Sequence, residues 1–265
     1  MRVRPILLAL LCAGMLPACA TLPSGERDPR DPFERVNRSV YRFNDALDRG
    51  VARPVAKGYV KVTPAPVRSG VSNFFRNINS VTVIANNLLQ AKPKAFATET
   101  LRLVVNTTIG IGGLFDPASQ MGIPAGDEDF GQTLGRWGVK AGPYVMLPFL
   151  GPSTVRDTVG LVGDQFTDPK YYLVKDFWVK AGLTVASLID TRAGLLGTDE
   201  VLARSFDPYV FMRNAYLQRR EFQVRDGVGA SEADEFEIFE FDDEEEFPDE
   251  DAAAEDAAAE PDAAQ

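Results

Sequence analysis

Five Asp-Pro steps, beginning at Asp28, Asp31, Asp116, Asp168 and Asp207, punctuate the chain. An aspartate can cap the first free N–H groups of a helix, and proline needs no N–H at the first helical position. Several of the five therefore mark helix starts, and the chain is expected to be all-α, or mainly helical. Asp31-Pro32-Phe33-Glu34 adds a capping-box acid, after which Phe33, Val36, Val40, Phe43, Leu47 and Val51 recur at helical spacing. Glu34, Arg38, Arg42, Asp45 and Arg49 occupy the opposite face, with Glu34/Arg38 and Asp45/Arg49 spaced for ion pairs.

Further helices are predicted from Val67, Val71, Phe74 and Ile78, from Val81, Ile84, Ala85, Leu88 and Leu89, and from Phe96, Ala97, Leu101, Val104 and Val105. Gly110, Gly112 and Gly113 stop that series, and a run of glycines and prolines from Gly131 to Pro152 makes the middle loop-rich. Val139, Ala141, Val145 and Leu147 alternate enough for one short hairpin. Beyond Asp168-Pro169, residues 171–189 read as one helix with Lys175, Asp176 and Lys180 as its charges. So little polar surface implies burial in protein or in lipid. Charges near its middle argue against simple membrane spanning, since each is costly at the bilayer centre. A last helix starts at Asp207-Pro208 and runs to about Phe222.

The two ends have a different character. Arg2 and Arg4 precede an apolar run from Ile6 to Leu16, which is the order of an export signal and too short to span a membrane. Leu16-Pro17-Ala18-Cys19 resembles the lipobox of bacterial lipoproteins, so residues 1–18 are expected to be removed and Cys19 to carry lipid. Cys19 would then be the single cysteine of the mature chain, which excludes an internal disulfide. Residues 19–30 form a tether, 31–230 the helical domain and 231–265 an acidic tail. The tail carries 17 acids and no base. Without it, and without Arg2 and Arg4, the 28 basic and 38 acidic residues leave 19–230 at +5. Such a tail buries too little apolar surface to offset its ordering entropy and should be disordered. Its phenylalanines leave open whether it docks on a basic partner or only solubilises the chain.

The sequence contains no histidine, which removes the commonest general base, the Ser-His-Asp arrangement and most zinc sites. There is no Gly-x-Ser-x-Gly elbow or phosphate-binding Gly-x4-Gly-Lys-Ser/Thr, and Gly110-Ile111-Gly112-Gly113 lacks the spacing of a dinucleotide loop. No catalytic residue, metal site or cofactor is expected beyond the lipid on Cys19. Asp127 and Asp129, beside Gly126, read as a solvated turn. A +5 domain on a membrane anchor without a basic cluster does not point to nucleic acid.

Asp31-Pro32-Phe33-Glu34-Arg35-Val36-Asn37-Arg38, Val67-Arg68-Ser69-Gly70-Val71-Ser72-Asn73-Phe74, Asn86-Asn87-Leu88-Leu89-Gln90 and Asn106-Thr107-Thr108-Ile109-Gly110-Ile111-Gly112-Gly113-Leu114-Phe115-Asp116 resemble the MlaA/VacJ lipoproteins. So do Phe130-Gly131-Gln132-Thr133-Leu134-Gly135-Arg136-Trp137-Gly138-Val139, Gly142-Pro143-Tyr144-Val145-Met146-Leu147-Pro148-Phe149, Ser153-Thr154-Val155-Arg156-Asp157 and Asp207-Pro208-Tyr209. The resemblance runs in order over about 29–222 and omits the tail. It implies a ring of amphipathic helices embedded in the inner leaflet of the outer membrane, beside trimeric porins. Such a protein would remove phospholipids misplaced in the outer leaflet through a central channel and pass them to the periplasmic carrier MlaC. A non-transporting lipoprotein scaffold and, less well supported, a lipoprotein phospholipase are the alternatives.

A lipid channel needs donors or cations for the phosphate and apolar walls for the tails. Arg156, Asp157 and Lys180 are the channel candidates, unless Asp157 serves an internal salt bridge. Gly135, Gly138 and Gly142 are expected in one loop that either gates the channel or simply turns the chain. Phe33, Val36, Val40, Phe43 and Leu47 would make the first helix interfacial. Ala20 after Cys19, in place of an aspartate retention signal, points to the outer membrane, periplasmic side.

Overall fold

The computed structural model describes residues 28–227. Cys19, the export segment and the acidic tail lie outside the described residues, as does the tether up to residue 27. The described chain is mainly helical: α1 (Glu34–Leu47), a π-helical turn (Asp48–Ala52), α2 (Arg53–Val62), α3 (Ala65–Leu89), α4 (Pro93–Thr108), α5 (Pro117–Gln120) and α6 (Phe130–Arg136) come first. A two-stranded hairpin, β1 (Tyr144–Leu147) and β2 (Gly151–Thr154), precedes α7 (Val155–Asp164), α8 (Pro169–Leu173), α9 (Phe177–Gly194), α10 (Thr198–Arg204) and α11 (Pro208–Val224).

Three of the Asp-Pro steps start helices. Asp116, Asp168 and Asp207 accept hydrogen bonds from the N–H groups of Ser119, Lys170 and Tyr209, and a proline follows each. Asp31 does not cap α1. Its carboxylate is buried and accepts from the Asn37 amide at 2.8 Å and from the Tyr209 hydroxyl, and it pairs with Arg213 at 3.2 Å. Proline after an aspartate sets the backbone, but tertiary partners here claim the carboxylate. Asp129, read from sequence as part of a solvated turn, caps α6 by accepting from the Gln132 N–H.

Two expected helices merge and one divides. Residues 65–89 form the single helix α3. The expected helix over 171–189 breaks at 174–176, because Asp176 is extended (φ −71°, ψ 128°) and caps α9 afresh from Val179. Of the four alternating residues only Val145 and Leu147 fall in the hairpin, whose second strand lies beyond them at 151–154, and the phase is reversed. Tyr144 and Met146 are buried, whereas Val145 and Leu147 are half-buried. Tyr144 pairs with Thr154 and Leu147 with Gly151 across the strands.

The hairpin docks on α1 through two side-chain amides. Asn37 donates to the Tyr144 carbonyl at 3.1 Å and accepts from the Met146 N–H at 2.9 Å. Seven residues on, Asn44 donates to the Leu147 carbonyl and accepts from the Phe149 N–H, each at 2.9 Å. Positions i and i+7 share a helix face, so α1 satisfies a strand edge that would otherwise be unpaired. The core there is small: Tyr144, Met146 and Tyr209 with Val40, Tyr41, Val210, Met212, Tyr216 and Leu217 around them.

Elsewhere the polarity is turned inside out. On α4 the residues facing inward are Glu99, Arg102 and Asn106, while Leu101 and Val104 are exposed. On α3 the buried set is Asn77, Ser80, Thr82, Asn86 and Asn87 with Val83 as its apolar member. Buried polar groups are tolerated when they are hydrogen-bonded, and most of these share a chain of partners, while the side-chain oxygens of Asn77 and Asn87 accept no hydrogen bond from the protein. Ser80 donates to Glu99 at 2.6 Å, the Gly126 N–H to Glu99 at 3.0 Å, and Arg102 and Asn106 converge on Asp116 at 2.8–3.0 Å. Among the described residues no helix is long and apolar enough to cross a membrane.

Candidate functional site

Two polar assemblies stand out. The first joins α6, α7 and α11. Arg220 of α11 holds Asp129 at 2.6 and 3.0 Å and Asp157 at 2.9 and 3.2 Å, and Arg156 holds Asp157 at 2.8 and 2.9 Å. Tyr216 donates to the other Asp157 oxygen at 2.9 Å. Burial pushes the Asp157 carboxyl up, but the hydrogen bonds and charge of Arg220, with those of Arg156, outweigh it and hold it at about 2. At the far end of α7, burial pushes Asp164 up to about 6. The Phe130 N–H and Asn86 amide act to lower it, while the charge of Asp129 raises it further. The helices can lie this close because a Cβ on Gly160 would meet the Gly131 backbone nitrogen at 2.5 Å.

The second assembly is a cleft of about 390 Å³ between α3, the start of α8 and α9. Ser72, Phe75, Arg76 and Asn79 line it from α3, and Ser187, Asp190, Thr191 and Gly194 from α9. Both sets follow the spacing i, i+3, i+4, i+7, which is one face of each helix. Asp190 ties the walls together, accepting from the Ser72 hydroxyl at 2.7 Å and the Tyr59 hydroxyl at 3.2 Å. Arg192 anchors α9 from below by holding Asp48 at 2.6 and 2.9 Å and Asp199 at 2.7 Å. Such a cleft can take a ligand with both charges and a short apolar part, since Phe75 and Ile78 also face it.

The structure brings Arg156 and Asp157 together and leaves Lys180 apart from them, its ammonium 4.6 Å from the centre of the Tyr171 ring. None of the three lines the α3–α9 cleft. The three glycines expected in one loop are not in one loop. Gly135 lies inside α6, where its Cα faces Arg156 and Val224. Gly138, at φ +89°, closes that helix: its N–H bonds the Gly135 carbonyl and that of Val139 the Leu134 carbonyl, both typical of a Schellman end. Gly142 leads into β1. Of the expected interfacial set, Phe33, Val36 and Phe43 are exposed while Val40 and Leu47 are half-buried. The inward residues of α1 are Asn37 and Asn44, whose seven-residue spacing was visible in the sequence. Arg76 and Asp190 carried no local signal, because the cleft joins segments more than 100 residues apart. Among the described residues no three His, Cys, Asp or Glu side chains gather as a metal site.

Together these features define a class: mainly helical proteins whose charged groups interlock inside while large apolar side chains face out. The chain belongs to the MlaA lipoprotein family, whose model matches residues 29–223. It is 37% identical over 218 residues to the intermembrane phospholipid transport system lipoprotein MlaA of Escherichia coli K12, covering 80% of this chain and 86% of that one. The protein of the same name from Haemophilus influenzae is 36% identical over 237 residues, covering 86% and 93%. A chain solved in work on the structural basis for maintenance of bacterial outer membrane lipid asymmetry superposes with a TM-score of 0.67. It shares 39% identity, and the match covers 75% of this chain and all of that one.

Proposed function

We propose that this protein is an outer-membrane lipoprotein of an intermembrane phospholipid transport system. In this reading it removes phospholipid misplaced in the outer leaflet, conducts it through an amphipathic passage and passes it to the periplasmic carrier MlaC, beside a trimeric porin. The observation that carries the reading is the inverted polarity. Leu173, Phe177 and Trp178 are 79%, 70% and 78% exposed, while Arg156 and Asp157 are buried. Apolar patches of that kind mark a surface made for another apolar phase, and a charged interior gives headgroups a polar path. The relatives named for phospholipid transport support the same role.

Within this reading the α3–α9 cleft belongs to the passage. Arg156 and Asp157 brace the passage rather than line it, since Asp157 is shared by Arg156 and Arg220, and Lys180 stays available to a phosphate. The segment entered at Gly138 and left at Gly142 is the gate, and the exposed apolar residues of α1 set the depth in the inner leaflet. Lipid on Cys19 directs the chain to its membrane. Deleting the gene should raise outer-leaflet phospholipid, counted with an amine-reactive label that does not cross the membrane. An unchanged count would rule out transport. Protein purified in mild detergent should bring phospholipid and porin with it, and a Cys19→Ser chain should accumulate as a mislocalised precursor.

A further inference from the structure

We propose that the α3–α9 cleft is a headgroup subsite for a phospholipid bearing a primary ammonium, with Arg76 holding the phosphodiester and Asp190 the ammonium. The inference rests on the transport reading and adds to it a preference among headgroups. Both residues line the same cleft, and among the described residues neither has an ion-pair partner. That is unusual in this molecule, where most arginines hold a carboxylate or a carbonyl. The other charged pair in the lining, Lys170 and Asp168, is committed to itself at 3.2 Å, and Asp168 also caps α8.

One unpaired cation and one unpaired anion facing a shared cleft are the complement of a zwitterion. Arg76 is solvent-exposed at the cleft with its donor fork free, and a guanidinium binds phosphate oxygens bidentately. Asp190 already accepts one hydrogen bond on each oxygen, from Ser72 and Tyr59. A carboxylate has about four acceptor sites, so roughly two remain, held in a fixed orientation by those hydroxyls. A primary ammonium can donate to both, which an uncharged glycerol headgroup cannot match in strength. The size agrees: about 390 Å³ accommodates a headgroup. Two acyl chains of about thirty methylenes, each close in size to a water molecule at roughly 30 Å³, would exceed it and must lie outside along apolar surface. Phe75 and Ile78 are placed to meet the first part of those chains.

The test uses the full lipidated chain in mild detergent, incubated with vesicles of equal phosphatidylethanolamine and phosphatidylglycerol, and counts bound lipid by mass spectrometry. Wild type should enrich phosphatidylethanolamine roughly threefold to tenfold. Arg76→Gln should lower total bound phospholipid about tenfold, with Arg76→Lys retaining most of it. Asp190→Asn should bring the two lipids to parity by lowering bound phosphatidylethanolamine while phosphatidylglycerol stays as in wild type. Ser72→Ala removes one of the two hydroxyls that orient Asp190 without touching its charge, so the enrichment should fall by less than in Asp190→Asn, which separates loss of charge from loss of orientation. Wild type that takes up both lipids equally, or Arg76→Gln that binds as much as wild type, overturns the subsite and leaves transport standing. Wild type that takes up no phospholipid overturns both. Displacement of the bound lipid by millimolar inorganic phosphate alone would assign the cleft to free phosphate and overturn the headgroup reading.

Discussion

The α6–α7–α11 assembly and the α8–α9 segment are held in place by opposite means. In the first, Asp129, Arg156, Asp157 and Arg220 satisfy one another inside the protein, and Gly131 and Gly160 let the helices touch. In the second, none of the residues of α8 or α9 is buried, and Asp190 and Arg192 tie α9 to the rest of the protein by hydrogen bonds. The first carries its stability within the chain. The second leaves its apolar area to be covered by surroundings. A helix can therefore be fixed in position by a few ion pairs while its grease faces outward, which is the arrangement a leaflet-embedded protein needs.

The sharpest way to break the contrast is Asp157→Ala. It leaves two arginines buried without their shared anion, and removing one partner of a buried pair costs about 3–5 kcal/mol. Thermal unfolding followed by circular dichroism should register that loss. If Asp157→Ala unfolds like wild type, the assembly is not the internal anchor described. Gly160→Ala comes next, at about 1–3 kcal/mol, because its methyl would meet the backbone of Gly131 rather than a movable side chain.

Acid–base behaviour tests the same assembly more finely. Asp157 is held down to about 2, so its contribution is present above the ordinary carboxylate value and is lost as pH falls from about 4 toward 2. Asp164 is pushed up to about 6, so its contribution is full below about 4 and is lost as pH rises through 6. Asp164→Asn can keep accepting from Phe130 and Asn86. It should raise stability above wild type at pH 8, with the gain shrinking toward pH 4. A gain of the same size at every pH would contradict this assignment.

The smallest effect on folding is expected in the other region. Leu173→Gln with Trp178→Gln should change unfolding by no more than about 0.5 kcal/mol, since neither side chain packs inside the protein. Partition onto phospholipid vesicles, measured by co-sedimentation, should fall by about 1.5–3 kcal/mol per side chain removed from the apolar phase. Loss of folding stability in place of vesicle affinity would mean that these residues serve the interior.

Much of the local structure was legible in the residues. The Asp-Pro steps at 168 and 207 marked α8 and α11, the apolar spacing placed α1, α4 and, as two helices, α3, and the glycines bounded the hairpin region. These signals depend on neighbours a few residues away, through capping bonds and helical periodicity. Sequence likewise excluded histidine chemistry outright, and the family resemblance rested on contiguous motifs.

Which face of each helix points inward was decided by the tertiary structure. Periodicity shows that Leu101 and Val104 share a side of α4 but carries no sign for in or out, and the structure turned Glu99, Arg102 and Asn106 inward because Asp116, Ser80 and the Gly126 N–H wait there. Asp31 left its capping role for the same reason, and Gly135 became helical because Asp129 capped the turn before it. The cleft is the clearest case. Arg76 and Asp190 are 114 positions apart in the sequence, and only the crossing of α3 and α9 makes them one site.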